Sequence, residues 1–237
     1  WGVTSGGQAT KELLPVSIEF RMTHEGLSQQ LKQNVSSDPV VVFKTTRVGI
    51  ELRDSANKLM DTGQVSYYSN KGWQPAGTTS GGQIVKELLP VSIEFRMTHD
   101  GLSQQKKQDV GADPVVVFQT IRVTAELRDT TGQLVDSGIA QYYGGSWLTF
   151  GTLSGGQAVK EMLPGSYQFR TSFASKMYNV TQDVRQNATV LFEVPALPTA
   201  TPTKTATPTD TATATATRTA MPTDTATATS TATRTAT

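Results

Sequence analysis

The chain has 237 residues, 36% of them apolar and 17% charged, with 21 Lys and Arg against 20 Asp and Glu and no cysteine. So even a charge balance leaves no basic field to hold nucleic acid, and the lack of cysteine removes disulfide staples, thiolate metal sites and thiol nucleophiles. No apolar run approaches the ~20 residues a membrane-spanning helix needs. The chain opens at Trp1 without an initiator Met or signal peptide and reads as a mature or clipped piece of something longer.

Repetition organises everything else. SGGQATKELLPVSIEFRMTHEGLSQQ begins at Ser5 and returns as SGGQIVKELLPVSIEFRMTHDGLSQQ from Ser80. It comes again, more altered, as SGGQAVKEMLPGSYQFRTSFASKMYN from Ser154, so the steps are 75 and 74 residues. Nine of the 44 positions differ between Ser5–Val48 and Ser80–Val123, without a gap. A second block, RVGIELRDSANKLMDTGQVSYY from Arg47, recurs as RVTAELRDTTGQLVDSGIAQYY from Arg122. Units over 45–119 and 120–194 each contain every block once. Residues 1–44 hold only the C-terminal half of such a module, and 195–237 form a tail of different composition.

In chain order the local pattern predicts strands. Val48, Ile50 and Leu52 alternate with other residues, as do Val91, Ile93 and Phe95, and later Tyr167 and Phe169. Asp54-Ser-Ala-Asn57, Asp129-Thr-Thr-Gly132 and Ser154-Gly-Gly156 supply turn chemistry between these runs. No window sustains a helical period. About seven short strands in ~75 residues is the arithmetic of a small sandwich. The fold class is all-β: tandem small β-sandwich modules of a seven-stranded type, followed by an extended Thr-X repeat tail.

Val123-Thr-Ala-Glu-Leu-Arg-Asp129, Gly132-Gln-Leu-Val135, Gln141-Tyr-Tyr143 and Leu163-Pro-Gly165-Ser-Tyr167-Gln-Phe169 carry a resemblance. The repeat resembles the prealbumin-like β-sandwiches of the carboxypeptidase regulatory-like and Cna B-type families, with a Thr/Pro-rich tail like those of bacterial surface proteins. The resemblance implies a spacer, stalk or adhesin shaft rather than a catalyst. Cna B-type domains often carry a Lys–Asn isopeptide bond. Here the first strand offers Arg47 or Arg122 and no Lys, which argues against that cross-link.

The tail is a dipeptide repeat. Threonine stands at Thr199, Thr201, Thr203, Thr205, Thr207, Thr209, Thr211, Thr213, Thr215, Thr217 and Thr219. After Met221 it resumes at Thr223, Thr225, Thr227, Thr229, Thr231, Thr233, Thr235 and Thr237. With few apolar side chains such a segment has little to offset the ordering cost of roughly 1–2 kcal/mol per residue. Extended, it would show threonine on one face only, a dense row for O-linked sugar. These threonines are the candidate O-glycosylation sites. The segment is also a candidate added strand along neighbouring modules, with 209–220 and 223–237, which lack Pro, as the better donors.

Catalytic chemistry lacks supplies. His24 and His99 are equivalent positions in different copies, and Phe173 replaces them in the third, which has no histidine. A serine nucleophile there has no imidazole base within reach. Asp54 with Asp61, and Asp129 with Asp136, are spaced like paired carboxylates around a turn, but no Gly-framed EF-hand loop surrounds them. Ser5-Gly-Gly7 and its copies lead into no GxxxxGK[ST] pattern. Lys86-Glu87 and Lys160-Glu161 read as strand-surface charges. No catalytic residue, cofactor or metal site is expected.

The aromatic residues Tyr67-Tyr68 and Trp73 recur as Tyr142-Tyr143 and Trp147. Adjacent strand tyrosines face opposite ways, one to the core and one outward. Tyr68, Trp73, Tyr143 and Trp147 are the candidate sugar-stacking residues; a core Trp beside a cross-strand Tyr is the alternative. Asn34, Asn179 and Asn187 stand in N-glycosylation patterns.

The sequence thus points to a non-enzymatic extracellular or cell-surface structural protein, a subunit of a fibre or stalk assembling head to tail. Its expected partners are copies of itself, by strand or tail exchange, and covalent glycans, with no nucleic acid and no membrane span. A carbohydrate-binding or adhesin array of a larger surface protein is the alternative.

Overall fold

In the computed structural model, described over residues 2–196, the chain is entirely strand and turn, with no helix among the described residues. Residues 197–237, with all nineteen candidate threonines, lie outside the described residues. A first hairpin pairs β1 (Ser17–His24) with β2 (Leu27–Asn34). The next seven strands are β3 (Thr46–Arg53), β4 (Gln64–Ser69), β5 (Gly72–Thr78), β6 (Gln83–Leu88), β7 (Ser92–His99), β8 (Leu102–Asp109) and β9 (Val115–Gln119). They form a three-stranded sheet, β6-β3-β9, and a four-stranded sheet, β5-β4-β7-β8. β3 runs parallel to β9 and antiparallel to β6.

The third copy repeats the plan with β10 (Ile121–Asp129), β11 (Ile139–Tyr143), β12 (Trp147–Thr152), β13 (Gln157–Met162), β14 (Ser166–Phe173), β15 (Lys176–Asp183) and β16 (Thr189–Val194). Its sheets are β13-β10-β16 and β12-β11-β14-β15. Even the bulge recurs, between Val65 and Ser66 and again between Ala140 and Gln141. The two inner faces meet over alternate side chains: Val48, Ile50 and Leu52 of β3 against Phe95 and Met97 of β7, with Val123, Ala125, Leu127 and Phe169 as their counterparts, all buried.

One octapeptide, SIEFRMTH, occurs twice with different environments. In β7 its Ile93, Phe95, Met97 and His99 are buried; in β1 the same Ile18, Phe20 and Met22 are only half-buried, and His24 is exposed. The sequence is identical, so the difference lies in the neighbours. In the complete sandwich β3 is the centre of its sheet, with β6 on one side and β9 on the other. The segments matching β6 and β9 at 8–13 and 40–44 pair with no such central strand among the described residues, and neither becomes a strand, although Val40-Val-Val-Phe43 repeats Val115-Val-Val-Phe118. Val40 and Val42 are left exposed.

The Ser-Gly-Gly turns show the same dependence. Gly82 and Gly156 take positive φ and are buried against the loop before them. A Cβ on Gly82 would collide with Leu59 Cβ and come within 2.8 Å of Met60 N; one on Gly156 would come within 2.8 Å of Leu134 Cβ. Gly7 has the same backbone (φ 80°) and open space around it.

Candidate functional site

The turn aspartates are committed to the backbone. Asp54 Oδ1 accepts hydrogen bonds from the amides of Ala56 and Lys58, and Asp129 Oδ1 from those of Thr131 and Gln133. Asp61 and Asp136 accept from Gly82 N and Gly155 N, pinning the Ser-Gly-Gly turns. No group of three His, Cys, Asp or Glu is gathered for a metal ion among the described residues. His99 is buried with Nδ1 3.3 Å from Thr62 Oγ1, whereas His24 is exposed.

The aromatic residues divide as strand alternation requires. Tyr67 and Tyr142 are buried, while Tyr68 and Tyr143 are 51% and 45% exposed. On this outer face Tyr68 meets its cross-strand partner Trp73 edge to face, with centroids 5.4 Å apart, and Tyr143 meets Trp147 at 5.5 Å. The tryptophans are half-buried on the outer face rather than in the core. The Arg96 guanidinium lies 3.8 Å from the Trp73 ring centroid, and Arg170 lies 4.1 Å from that of Trp147. Each indole thus has one face covered by a cation.

The two copies of this cluster differ in one respect. Arg170 Nε donates to Gln141 Oε1 at 2.8 Å, but Ser66 stands opposite Arg96, and the buried Arg96 Nε has no hydrogen-bond partner. Ser66→Gln should satisfy it and raise the stability of the second sandwich by about 1 kcal/mol, measured by denaturant unfolding.

The most built site lies where one module meets the next. β9 passes into β10 through the single residue Thr120, which is buried. Its amide donates to Arg53 O of the second module, and its hydroxyl to Glu161 Oε2 of the third at 2.5 Å. The same carboxylate accepts from Ser55 N and Ser55 Oγ, at 3.1 and 2.6 Å, across the junction. Glu161 and its neighbour Lys160, expected to be strand-surface charges, are instead inter-module contacts. Lys160 Nζ reaches Asp100 Oδ2 at 2.6 Å.

Asp100 stands with Gly101 in the β7–β8 turn, and that turn sits on the third module. Tyr142 OH donates to Asp100 O at 2.9 Å. A Cβ on Gly101 would lie 2.9 Å from Gly144 O and 2.8 Å from Leu148 Cδ1, so the two hairpins approach to a distance only glycine permits. The first hairpin meets the second module in the same way. Tyr67 OH donates to Glu25 O and Oε2 at 3.2 and 3.1 Å, Lys86 Nζ is 3.9 Å from Glu25, and Asn70 N donates to Gly26 O. Burial, reinforced by Glu25 for Tyr67 and by Asp100 for Tyr142, pushes both phenols up to about 12, so each stays a donor at ordinary pH.

Asp100 titrates with the junction. Its partial burial disfavours the charged form, but the hydrogen bond and charge of Lys160, with His99 adding to them, outweigh this and hold its pKa below the ordinary aspartate value. A lowered folded-state pKa means the contribution is present above the ordinary aspartate range and is lost as pH falls through the lowered value. The inter-module contact should therefore persist at neutral pH and weaken only in acid below that range. Hydrogen exchange at the 142–145 amides as a function of pH checks this.

Sequence spacing alone did not single out this junction. The signal was present: an acid–glycine pair at the same place in the first two copies, Glu25-Gly26 and Asp100-Gly101, with a Tyr the same distance further on in each case and a Lys at offsets that differ by one residue.

No family model matches the chain, and no curated protein does. Among solved structures it is similar to the TIE protein of Bacillus anthracis, with TM-score 0.27 and 11% identity, over 71% of this chain and 37% of that one. It is also similar to the shaft pilin spaA of Lactobacillus rhamnosus GG, with TM-score 0.26 and 10% identity, over 65% of this chain and all of that one. A streptococcal ancillary pilin aligns with TM-score 0.25 and 13% identity, over 74% of each chain. The chain thus spans little more than a third of the length of the first of these. Likeness of this degree decides nothing about function.

Proposed function

We propose that this is a non-enzymatic structural protein of a cell surface: a shaft of stacked prealbumin-like, Cna B-type sandwiches that serves as a subunit of a fibre or stalk, carrying an O-glycosylated threonine tail. The single observation behind this reading is the repeated junction. Two successive inter-module contacts use the same residue types in the same roles, which suits a stiff rod built from one unit. A catalyst needs an asymmetric constellation that repetition does not supply. In the fibre, subunits join head to tail, by strand or tail exchange between neighbouring copies. Immuno-electron microscopy with antibodies against residues 45–194 tests the role. Label along surface filaments is expected; label confined to the cell interior would overturn it.

A second reading is favoured by the recurring exposed Tyr68–Trp73 and Tyr143–Trp147 pairs, which offer sugar-stacking edges on one face of the array. It requires glycan binding by the intact chain that disappears in Trp73→Ala and Trp147→Ala while the fold survives.

A further inference from the structure

The docking turn of the third module differs from those of the first two. His24-Glu-Gly-Leu27 and His99-Asp-Gly-Leu102 correspond to Phe173-Ala-Ser-Lys176. The backbone is kept: the two central residues have φ 51° and 72° in the first copy, 49° and 71° in the second, and 48° and 62° in the third. Only the chemistry has changed, and it has changed at the atoms the junction uses. Ala174 has no carboxylate for the lysine of a following module. Ser175 carries a Cβ at the position where, on Gly101, one would meet a backbone carbonyl at 2.9 Å. Lys176 brings a cation to a turn whose seat already holds one. Ala174, Ser175 and Lys176 are all exposed.

We infer that the acid–glycine turn and the Tyr–Lys seat are the two halves of a docking site whose partner is another module of the same kind, and that the third module ends the stack because its Ala174-Ser175 turn cannot enter such a seat. Both seats in the chain, Tyr67 with Lys86 and Tyr142 with Lys160, are already filled from within. Copies of the chain therefore do not extend the array through the outer turn of the third module. The inference rests on the stacked geometry and not on where the protein is displayed, so it stands or falls separately from the surface role.

The test gives the second module the third module's turn in the full chain. The protein has no cysteine, so Lys107→Cys and Asn179→Cys accept two spin labels uniquely, one on each side of the junction. Pulsed electron resonance should give one narrow distance distribution in the labelled parent and in Asp100→Glu, the acid the first copy uses. The double substitution D100A/G101S should broaden it by about twofold or more, as expected when a hinge is released. An unchanged distribution in D100A/G101S would overturn the inference, as would equal broadening in Asp100→Glu. Should the double variant disturb its own sandwich, the charge exchange decides. Lys160→Asp alone broadens the distribution and D100K/K160D narrows it again if the docking is as inferred; no recovery contradicts it.

Discussion

Ile93→Ala should destabilise the second sandwich by about 2–5 kcal/mol, the range for emptying a packed core position, while Ile18→Ala should change stability by less than about 1 kcal/mol. Both isoleucines hold the second position of the same octapeptide sequence, on the first strands, β1 and β7, of equivalent hairpins. Ile93 is 1% exposed in the complete sandwich, and Ile18 is half-buried beside segments that lack their central strand. Local sequence is held constant by the protein itself, so any difference measures what the opposing sheet contributes. Denaturant unfolding combined with hydrogen exchange on the amides of β7 and β1 reads the two separately. Equal costs at the two sites would mean that the first hairpin is packed as well as the second.

Gly82→Ala should be as damaging, at roughly 2–5 kcal/mol, and Gly7→Ala should cost about 1–2 kcal/mol. The left-handed backbone contributes about 1–2 kcal/mol at either site, because a Cβ crowds the carbonyl there. The remainder at Gly82 comes from overpacking, typically 1–3 kcal/mol. Its new methyl would press on Leu59 Cβ and the Met60 amide, and backbone does not yield as a side-chain tip does. Gly7 has nothing within 4 Å. Thermal unfolding of the two variants gives the comparison.

The all-β class and the sandwich were legible because alternation and turn residues are local properties, and strand pairing in each module joins blocks that the repeat already displayed. The opposite orientation of Tyr67 and Tyr68 followed from strand geometry alone. Lys160 and Glu161 were not legible. A Lys-Glu pair on a strand looks the same whether it faces water or another module, and only the positions of Asp100, Thr120 and Ser55 distinguish the two. The tryptophans were open between core and surface for a similar reason. A bulge after Val65 and Ala140 and the cross-strand register decide that they share the outer face with Tyr68 and Tyr143. The failure of 8–13 and 40–44 to form strands is the clearest case of tertiary context overruling sequence, since 40–43 repeats a true strand letter for letter.

Residual dipolar couplings on the intact chain reach the common premise most directly, because they report whether residues 45–119 and 120–194 share one orientation in solution. A single alignment tensor fitting both sandwiches is expected from a one-residue connection clamped by Glu161 on one side and by the Asp100–Lys160 pair on the other. Two independent tensors, with the modules reorienting freely, would contradict it.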